Sequence, residues 1–208
     1  MRQLALVLVL CVISGCSLMT SRAPPKTEFD FGPETSAPAD PAPLSQVQLV
    51  VYDVSAPTWM DGTAMYYRLA YQNAAVPLPY AKSEWVMSPA ALLTERLRSR
   101  AAVHADGGAR LVGVHTPAVY RLHSELLEFE QIFDAPDRSH GVLRLRATLE
   151  GEGVWAQRTF AIERLAPTPN AAGGVTALTE CSNELARLLE GWVSANHSRS
   201  PRGQALGP

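Results

Sequence analysis

Excess positive charge, long apolar segments and paired cysteines are all missing from this sequence. Its 208 residues hold 18 Lys and Arg against 20 Asp and Glu, a formal net charge of −2. Because no basic patch or mixed basic and aromatic motif stands out, we expect no binding to nucleic acid. The apolar run at 4–13 is too short for a transmembrane helix, which takes about 20 residues.

Side chains suited to catalysis or metal binding are few and scattered. The three cysteines and five histidines lie at no metal-ligand spacing, so we predict no metal site and no cofactor. Cys181 shares the apolar stripe of a predicted helix, which favours a buried structural thiol over a nucleophile. Glu125, Glu128 and Glu130 lie on a predicted strand, where cross-strand ion pairs are a simpler interpretation than an acid and base. We predict no enzymatic activity, and a hydrolase is the least favoured alternative.

The N-terminus has the pattern of a secretory signal that ends at an acylation site. Arg2 precedes the apolar run, and Ser14 and Gly15 lead to Cys16. The four residues 13–16 (ISGC) resemble the lipobox of bacterial lipoproteins, which implies that residues 1–15 are removed and that Cys16 carries the lipid. Stable anchoring takes more than one acyl chain, and such lipoproteins carry three. Because Ser17 follows in place of Asp, the resemblance implies attachment to the outer membrane, facing the periplasm, over inner-membrane retention.

Proline, alanine, serine and threonine dominate the segment after Cys16. We predict that residues 16–44 form the lipid-bearing, disordered tether, since they hold too little apolar bulk to order themselves. Phe29 and Phe31 interrupt this composition, and their alternation leaves a short edge strand open. The polar residues 197–208 are predicted to be a disordered tail, which leaves one folded domain at 45–196.

Period-two patterns predict about five to six strands within the domain. They fall at 47–54, 64–70, 109–114, 119–133, 142–149 and 154–163. In the fourth, the apolar positions change phase, which predicts a β-bulge near Leu126 and Leu127. In the fifth, Leu143, Leu145 and Leu149 are predicted to face the core.

Two helices complete the prediction. Ser88 and Pro89 fit the N-cap and first position of a helix that ends at Gly107 and Gly108. The segment 175–193 carries a second apolar stripe. The fold class is therefore α+β, with a mostly antiparallel or mixed sheet and two main helices packed on one face.

A series of short motifs runs through the ordered segments from about Gln46 to Val193. The motifs are Met65-Tyr66-Tyr67-Arg68, Tyr80, Glu84-Trp85, Ser88-Pro89, Leu92-Leu93, the run 127–134 (LEFEQIFD), Arg144-Leu145-Arg146-Ala147, Phe160 and the segment 172–175 leading to Trp192. Together they resemble the ABC-type transport auxiliary lipoprotein family, which includes the lipoprotein of the paraquat-inducible transport system.

The resemblance implies an accessory subunit that faces the periplasm. Its partners would be the membrane, through the lipid, and an ABC permease complex with a substrate-binding protein of the mammalian-cell-entry type; a homo-oligomer is left open. Such systems are associated with moving phospholipids or other hydrophobic molecules between the two membranes. An outer-membrane lipoprotein that scaffolds or regulates an envelope assembly machine is the alternative.

Residues 56–63 (APTWMDGT) carry the candidate partner surface. Trp59 and Met60 lie in a loop flanked by Pro and Gly, so they either fold back over the sheet or form an exposed anchor for a partner. For Arg96, Arg98 and Arg100 of the first helix we predict a solvated face, and a partner-binding patch is the alternative.

Overall fold

A computed structural model describes residues 25–33, 48–103, 110–111, 120–151 and 153–199. Its strands are β1 (Thr27–Phe29), β2 (Gln48–Val51), β3 (Ala64–Leu69), β4 (Leu78–Trp85), β5 (Arg110–Leu111), β6 (Tyr120–Ala135), β7 (Arg138–Gly151) and β8 (Val154–Leu165). Its helices are α1 (Ala70–Asn73), α2 (Pro89–Val103) and α3 (Ala171–His197), with a 3₁₀ turn at Thr58–Met60. The predicted α+β fold is confirmed, and the described strands exceed the predicted number by β1 and β4.

All eight described strands form one mixed sheet, built around β6. β7 pairs antiparallel with β6 along nearly its whole length, and β8 pairs antiparallel with β7. On the other side of β6, two strands run parallel to it: β2 lies beside Tyr120–Leu122, and β3 lies beside Gln131–Phe133. β4 continues the sheet beyond β3, and β5 continues it beyond β2. The 16-residue strand β6 thus joins β7 and β8 on one side of the sheet to β1–β5 on the other.

The predicted change of phase in β6 is confirmed. The pairing register with β7 shifts between Leu126 and Glu128, where the extra residue of a β-bulge lies. Leu126 is fully buried before the shift and Phe129 is buried after it. On β7, the predicted inward residues Leu143, Leu145 and Leu149 are also fully buried.

The two main helices begin as their capping residues indicate. Ser88 Oγ accepts a hydrogen bond from Ala91 N at 3.3 Å, and Pro89 opens α2. Asn170 Oδ1 accepts from Gly173 N at 3.0 Å and caps α3, which is longer at both ends than predicted. The predicted end of the first helix, at Gly107 and Gly108, lies outside the described residues. The apolar stripes of both helices join the sheet residues in one core.

Part of the predicted tether belongs to the domain. Thr27–Phe29 pairs parallel with Ser83–Trp85 at the outer edge of β4. Phe31 is only 6% exposed, with its ring 5.8 Å from that of Trp85 and 5.9 Å from that of Phe129. The domain boundary predicted at residue 45 is therefore wrong for this segment. The open edge of β4 supplies hydrogen-bond partners for the backbone of β1, and the core takes in the ring of Phe31. The signal peptide and the rest of the tether lie outside the described residues, as do residues 200–208 of the predicted tail. The predicted start of that tail at residue 197 is wrong, because His197 ends α3 and its ring lies 5.6 Å from that of Tyr120.

The prediction of a solvated arginine face on α2 is wrong. The Arg96 side chain is buried and donates to Asn183 Oδ1 at 2.8 Å and to the carbonyl oxygens of Phe31 and Gly32 at 3.2 and 3.1 Å. Arg98 donates to Asp53, and Arg100 forms an ion pair with Glu190 on α3. The long side chains reach neighbouring acceptors that sequence spacing does not reveal. Arg96 thereby secures the N-terminal segment to both helices.

Candidate partner-binding site

The structure separates the two residues predicted to form a partner surface. Pro57 leads into the 3₁₀ turn, whose hydrogen bond runs from Met60 N to Pro57 O at 2.8 Å. Trp59 remains 43% exposed, whereas Met60 is 2% exposed and belongs to the core. The hypothesis that Met60 contacts a partner is therefore wrong, because one tight turn directs the two side chains to opposite sides. Cys16, the predicted lipidation site, lies outside the described residues.

Trp59 rests on the outer face of the sheet while leaving much of its indole open. Its ring meets the Tyr66 ring edge-on, with centroids 5.3 Å apart and planes at 73°. This contact holds the indole in place by an arrangement that aromatic pairs favour. An exposed tryptophan that is already positioned loses little freedom on binding, which suits an interface anchor.

A cavity of about 360 Å³ opens beside the indole. It is lined by Trp59, Arg68, Ala70, Ala74, Leu127, Glu128, Glu130 and Ile132. Ala70 opens α1 and Ala74 follows its end; α1 also exposes Tyr71 at 42%, and Val76 after it is 43% exposed. The cavity therefore combines apolar walls with one buried ion pair. We call this region the Trp59 surface, defined by Trp59, Tyr71, Val76 and the cavity lining.

The ion pair of the Trp59 surface joins two parallel strands. Arg68 Nε of β3 lies 2.7 and 2.8 Å from the two carboxylate oxygens of Glu130 on β6. Arg68 Nη1 also donates to Ala74 O at 3.0 Å, which ties the end of α1 to the sheet. The Glu130 residue is 1% exposed. Burial raises the pKa of the Glu130 carboxyl, and the Arg68 guanidinium acts against that rise.

The two other glutamates of β6 are cross-strand partners, as the simpler interpretation predicted. Glu125 faces Arg146 and Glu128 faces Arg144 in the β6–β7 register, with ion-pair distances of 2.9 and 3.3 Å. Neither pair is buried, so each contributes little to stability. The Glu128–Arg144 pair adds charge at the Trp59 surface, because Glu128 lines its cavity.

Cys181 is a buried thiol, as predicted. It has no exposed surface, and its Sγ lies 3.6 Å from Gly141 O and 3.7 Å from Ile162 O. Burial raises the pKa of Cys181 to about 12, so the thiol stays protonated at neutral pH. Over the described part of the chain, no three His, Cys, Asp or Glu side chains are grouped so that they could hold a metal ion.

Comparison with known proteins identifies the family. The family described as the ABC-type transport auxiliary lipoprotein component matches residues 29–189. The chain belongs to this family. The match begins at Phe29, within β1, and so agrees with the structure in assigning the N-terminal aromatic segment to the domain of this auxiliary lipoprotein.

Solved structures with the same fold are distant in sequence. A protein from Xanthomonas campestris is 20% identical with a TM-score of 0.62, covering 74% of this chain and 86% of its own. An uncharacterized protein is 13% identical with the same TM-score, covering 81% of this chain and 99% of its own. A hypothetical protein from Chlamydia trachomatis is 10% identical with a TM-score of 0.50, covering 72% and 96%. No curated protein sequence matches the chain.

The ion pair of the Trp59 surface could not be predicted from the sequence. Arg68 and Glu130 lie 62 positions apart, and only the parallel pairing of β3 with β6 brings them together. Glu130 itself gave no distinguishing signal in the sequence, because the same strand also carries Glu125 and Glu128. None of the described helices combines the length and the apolar character needed to cross a bilayer.

Proposed function

We propose that this auxiliary lipoprotein is a non-catalytic, lipid-anchored subunit of an ABC transport system with a mammalian-cell-entry-type protein, moving phospholipids or other hydrophobic molecules across the envelope. The observation that carries the proposal is the family match, which spans residues 29–189 and thus most of the folded domain. The lipobox-like residues before Cys16 support anchoring by acyl chains. Ser17 supports the outer membrane as the site of attachment.

The Trp59 surface is the contact for the periplasmic partner in this proposal. A positioned, half-exposed indole beside a cavity is the type of anchor around which hot spots form, and truncating one costs about 2 kcal/mol or more of binding. Since 1.4 kcal/mol corresponds to a tenfold change in affinity, Trp59→Ala should weaken the complex by roughly thirtyfold. The Arg68–Glu130 pair would hold the floor of the site rigid.

Co-purification tests this assignment. The tagged full-length lipoprotein is extracted from its native membranes in mild detergent, and its partners are quantified by mass spectrometry. We expect the permease, the ATPase and the mammalian-cell-entry-type protein to be enriched with wild type and lost with Trp59→Ala. Met87→Ala, which truncates another side chain of 40% exposure, is the matched control and should retain them.

Two results would overturn the proposal. Enrichment of an envelope assembly machine without transporter components would establish the scaffolding alternative. Retention of every transporter component by a stably folded Trp59→Ala variant would remove the Trp59 surface from the contact.

The lipid anchor is tested separately. Metabolic labelling with a fatty-acid analogue should mark the wild type and leave Cys16→Ser unlabelled, and the label should fractionate with the outer membrane. Equal labelling of both proteins would exclude Cys16 as the acylation site. Recovery of the labelled protein with the inner membrane would contradict the predicted location.

A further inference from the structure

β8 is a long sheet edge that contains neither a proline nor a bulge, although it carries the charged residues Arg158, Glu163 and Arg164. It pairs with β7 from Val154 to Leu165 without any register shift. Within the described residues, β7 is its only strand partner. Its sequence contains no proline, and proteins commonly protect exposed edges with proline, bulges or very short strands.

The alternation of an antiparallel ladder shows which backbone groups this edge offers. Ala166 N donates to Ser139 O at 2.9 Å, at the position that continues the β7–β8 register. Even-numbered residues of β8 therefore exchange hydrogen bonds with β7, and odd-numbered residues direct N–H and C=O groups away from it. Those residues are Trp155, Gln157, Thr159, Ala161, Glu163 and Leu165. Of these groups, the carbonyl oxygen of Glu163 already accepts one hydrogen bond, from Arg164 Nη1 at 2.9 Å, and its second lone pair remains for a partner strand.

The two ends of β8 carry the most exposed large apolar side chains of the described chain. Trp155 is 68% exposed and Leu165 is 73% exposed. Both are odd-numbered, so they lie on the same face of the sheet, opposite the face that buries Phe160 and Ile162. They are equally distant in sequence from Phe160, the centre of the strand.

We propose that β8 pairs antiparallel with β8 of a second copy of this chain, about a two-fold axis beside Phe160. Trp155 then lies opposite Leu165 of the partner subunit, and the symmetric contact forms at the other end. An interface of this kind is self-complementary, as a closed dimer requires. The two sheets become continuous, with the helices of both subunits on the same face.

The side chains brought together are compatible with this register. Gln157 lies opposite Glu163 of the partner subunit, and Thr159 lies opposite Ala161 of the partner subunit, so no like charges face one another. The six outward-directed residues of each chain can form about twelve backbone hydrogen bonds, because each such pair in an antiparallel ladder exchanges two. A shift of the register by two residues removes the contact between Trp155 and Leu165. The pairing involves no residue of the Trp59 surface and does not depend on the proposed function.

Disulfide trapping tests the register directly. Thr159→Cys and Ala161→Cys are made in the full-length lipoprotein with different tags and produced singly or together. Opposed residues of a hydrogen-bonded pair have Cα atoms about 5.5 Å apart, within disulfide range. We expect a crosslinked dimer in which one chain carries each tag. Each variant alone should give none, because its two cysteines are about 7 Å out of register along the strand.

Crosslinking by either single variant would overturn the register, and absence of any crosslink would overturn the dimer. As a second measurement, the mass of the detergent-extracted lipoprotein is determined by sedimentation or light scattering. Wild type should be dimeric, and Trp155→Lys/Leu165→Lys should be monomeric with an unchanged circular dichroism spectrum, since only the association is lost. Val86→Lys/Met87→Lys, an equal change at side chains of 44% and 40% exposure, should remain dimeric.

A monomeric wild type, or a dimer that survives the paired lysines, would refute the proposal. A monomeric wild type that loses a co-purified protein on Trp155→Lys/Leu165→Lys would show that this edge binds a strand of another protein. Neither result would affect the co-purification expected for Trp59→Ala.

Discussion

The buried Arg68–Glu130 pair should respond very differently to loss of its two members. Arg68→Gln leaves the Glu130 carboxylate without its countercharge in a position with 2% side-chain exposure. Removing one member of a buried pair costs about 3–5 kcal/mol, since the remaining charge is desolvated and uncompensated. Arg68 itself is 20% exposed, so in Glu130→Gln the guanidinium still reaches water and the new amide. We expect that variant to lose only about 1 kcal/mol.

The destabilisation caused by Arg68→Gln should depend on pH, because Glu130 titrates. Burial raises the folded-state pKa of Glu130 above its ordinary value of 4.5, and removing Arg68 raises it further. A raised folded-state pKa means that stability is lost as the pH rises from the unfolded value through the folded one. The cost of Arg68→Gln should therefore be small near pH 4.5 and reach its full size at higher pH. Glu130→Gln, which cannot ionise, should show no such dependence from this site.

Urea denaturation at several pH values, followed by circular dichroism, measures the free energies of unfolding. The Cys16→Ser background avoids detergent in the assay. The double variant Arg68→Gln/Glu130→Gln should be about as stable as Glu130→Gln alone, because it removes both charges. The reasoning would be refuted by an Arg68→Gln cost below about 1 kcal/mol at pH 7, or by an equal cost at both ends of the pH range.

Three further predictions concern the core. Phe31→Ala should lower the free energy of unfolding by up to about 3–5 kcal/mol, and the loss cannot exceed the free energy of releasing the N-terminal segment. Phe29→Ala should lower it less. If urea denaturation shows equal, negligible losses for both variants, Phe31 belongs to the tether and not to the core. Gly174→Ala should destabilise by about 1–3 kcal/mol, since its Cβ would collide with Oε1 of the buried Gln131. Gly191→Ala, with no neighbour within 4 Å, should be neutral or stabilising by up to about 1 kcal/mol, and a stabilised Gly174→Ala would contradict the close approach. A thiol reagent should label Cys181 slowly in the native protein and rapidly in urea, because burial raises the pKa of Cys181 to about 12; rapid native labelling would show an accessible thiol.

Periodicity determined much of the local structure. β6 and β7 alternate well enough to predict their inward faces, and the phase change at Leu126 predicts the bulge. Ser88 and Pro89 placed the start of α2. These features follow from backbone geometry over a few residues, so neighbouring side chains suffice to reveal them.

Residues whose structure depends on distant partners were not predictable in this way. β4 has a mixed composition and an irregular burial pattern, and it forms a strand because β3 and β1 pair with it. The sequence leaves Met60 open between folding back over the sheet and forming a partner surface with Trp59, and the 3₁₀ turn places it in the core. The position of Arg96 in the sequence indicates a solvated side chain, but in the folded domain its guanidinium donates to the carbonyl oxygens of Phe31 and Gly32.

The sequence by itself determined the α+β class, the apolar stripes of both main helices and the buried state of Cys181, because each depends on a repeat or a composition that is local to one element. Tertiary structure alone decided that Arg68 meets Glu130, that Phe31 enters the core, and that β8 ends the sheet with Trp155 and Leu165 exposed. The pairing of strands far apart in the chain sets these contacts, and many pairings satisfy the same alternation. Packing of the whole chain around β6 selects one of them.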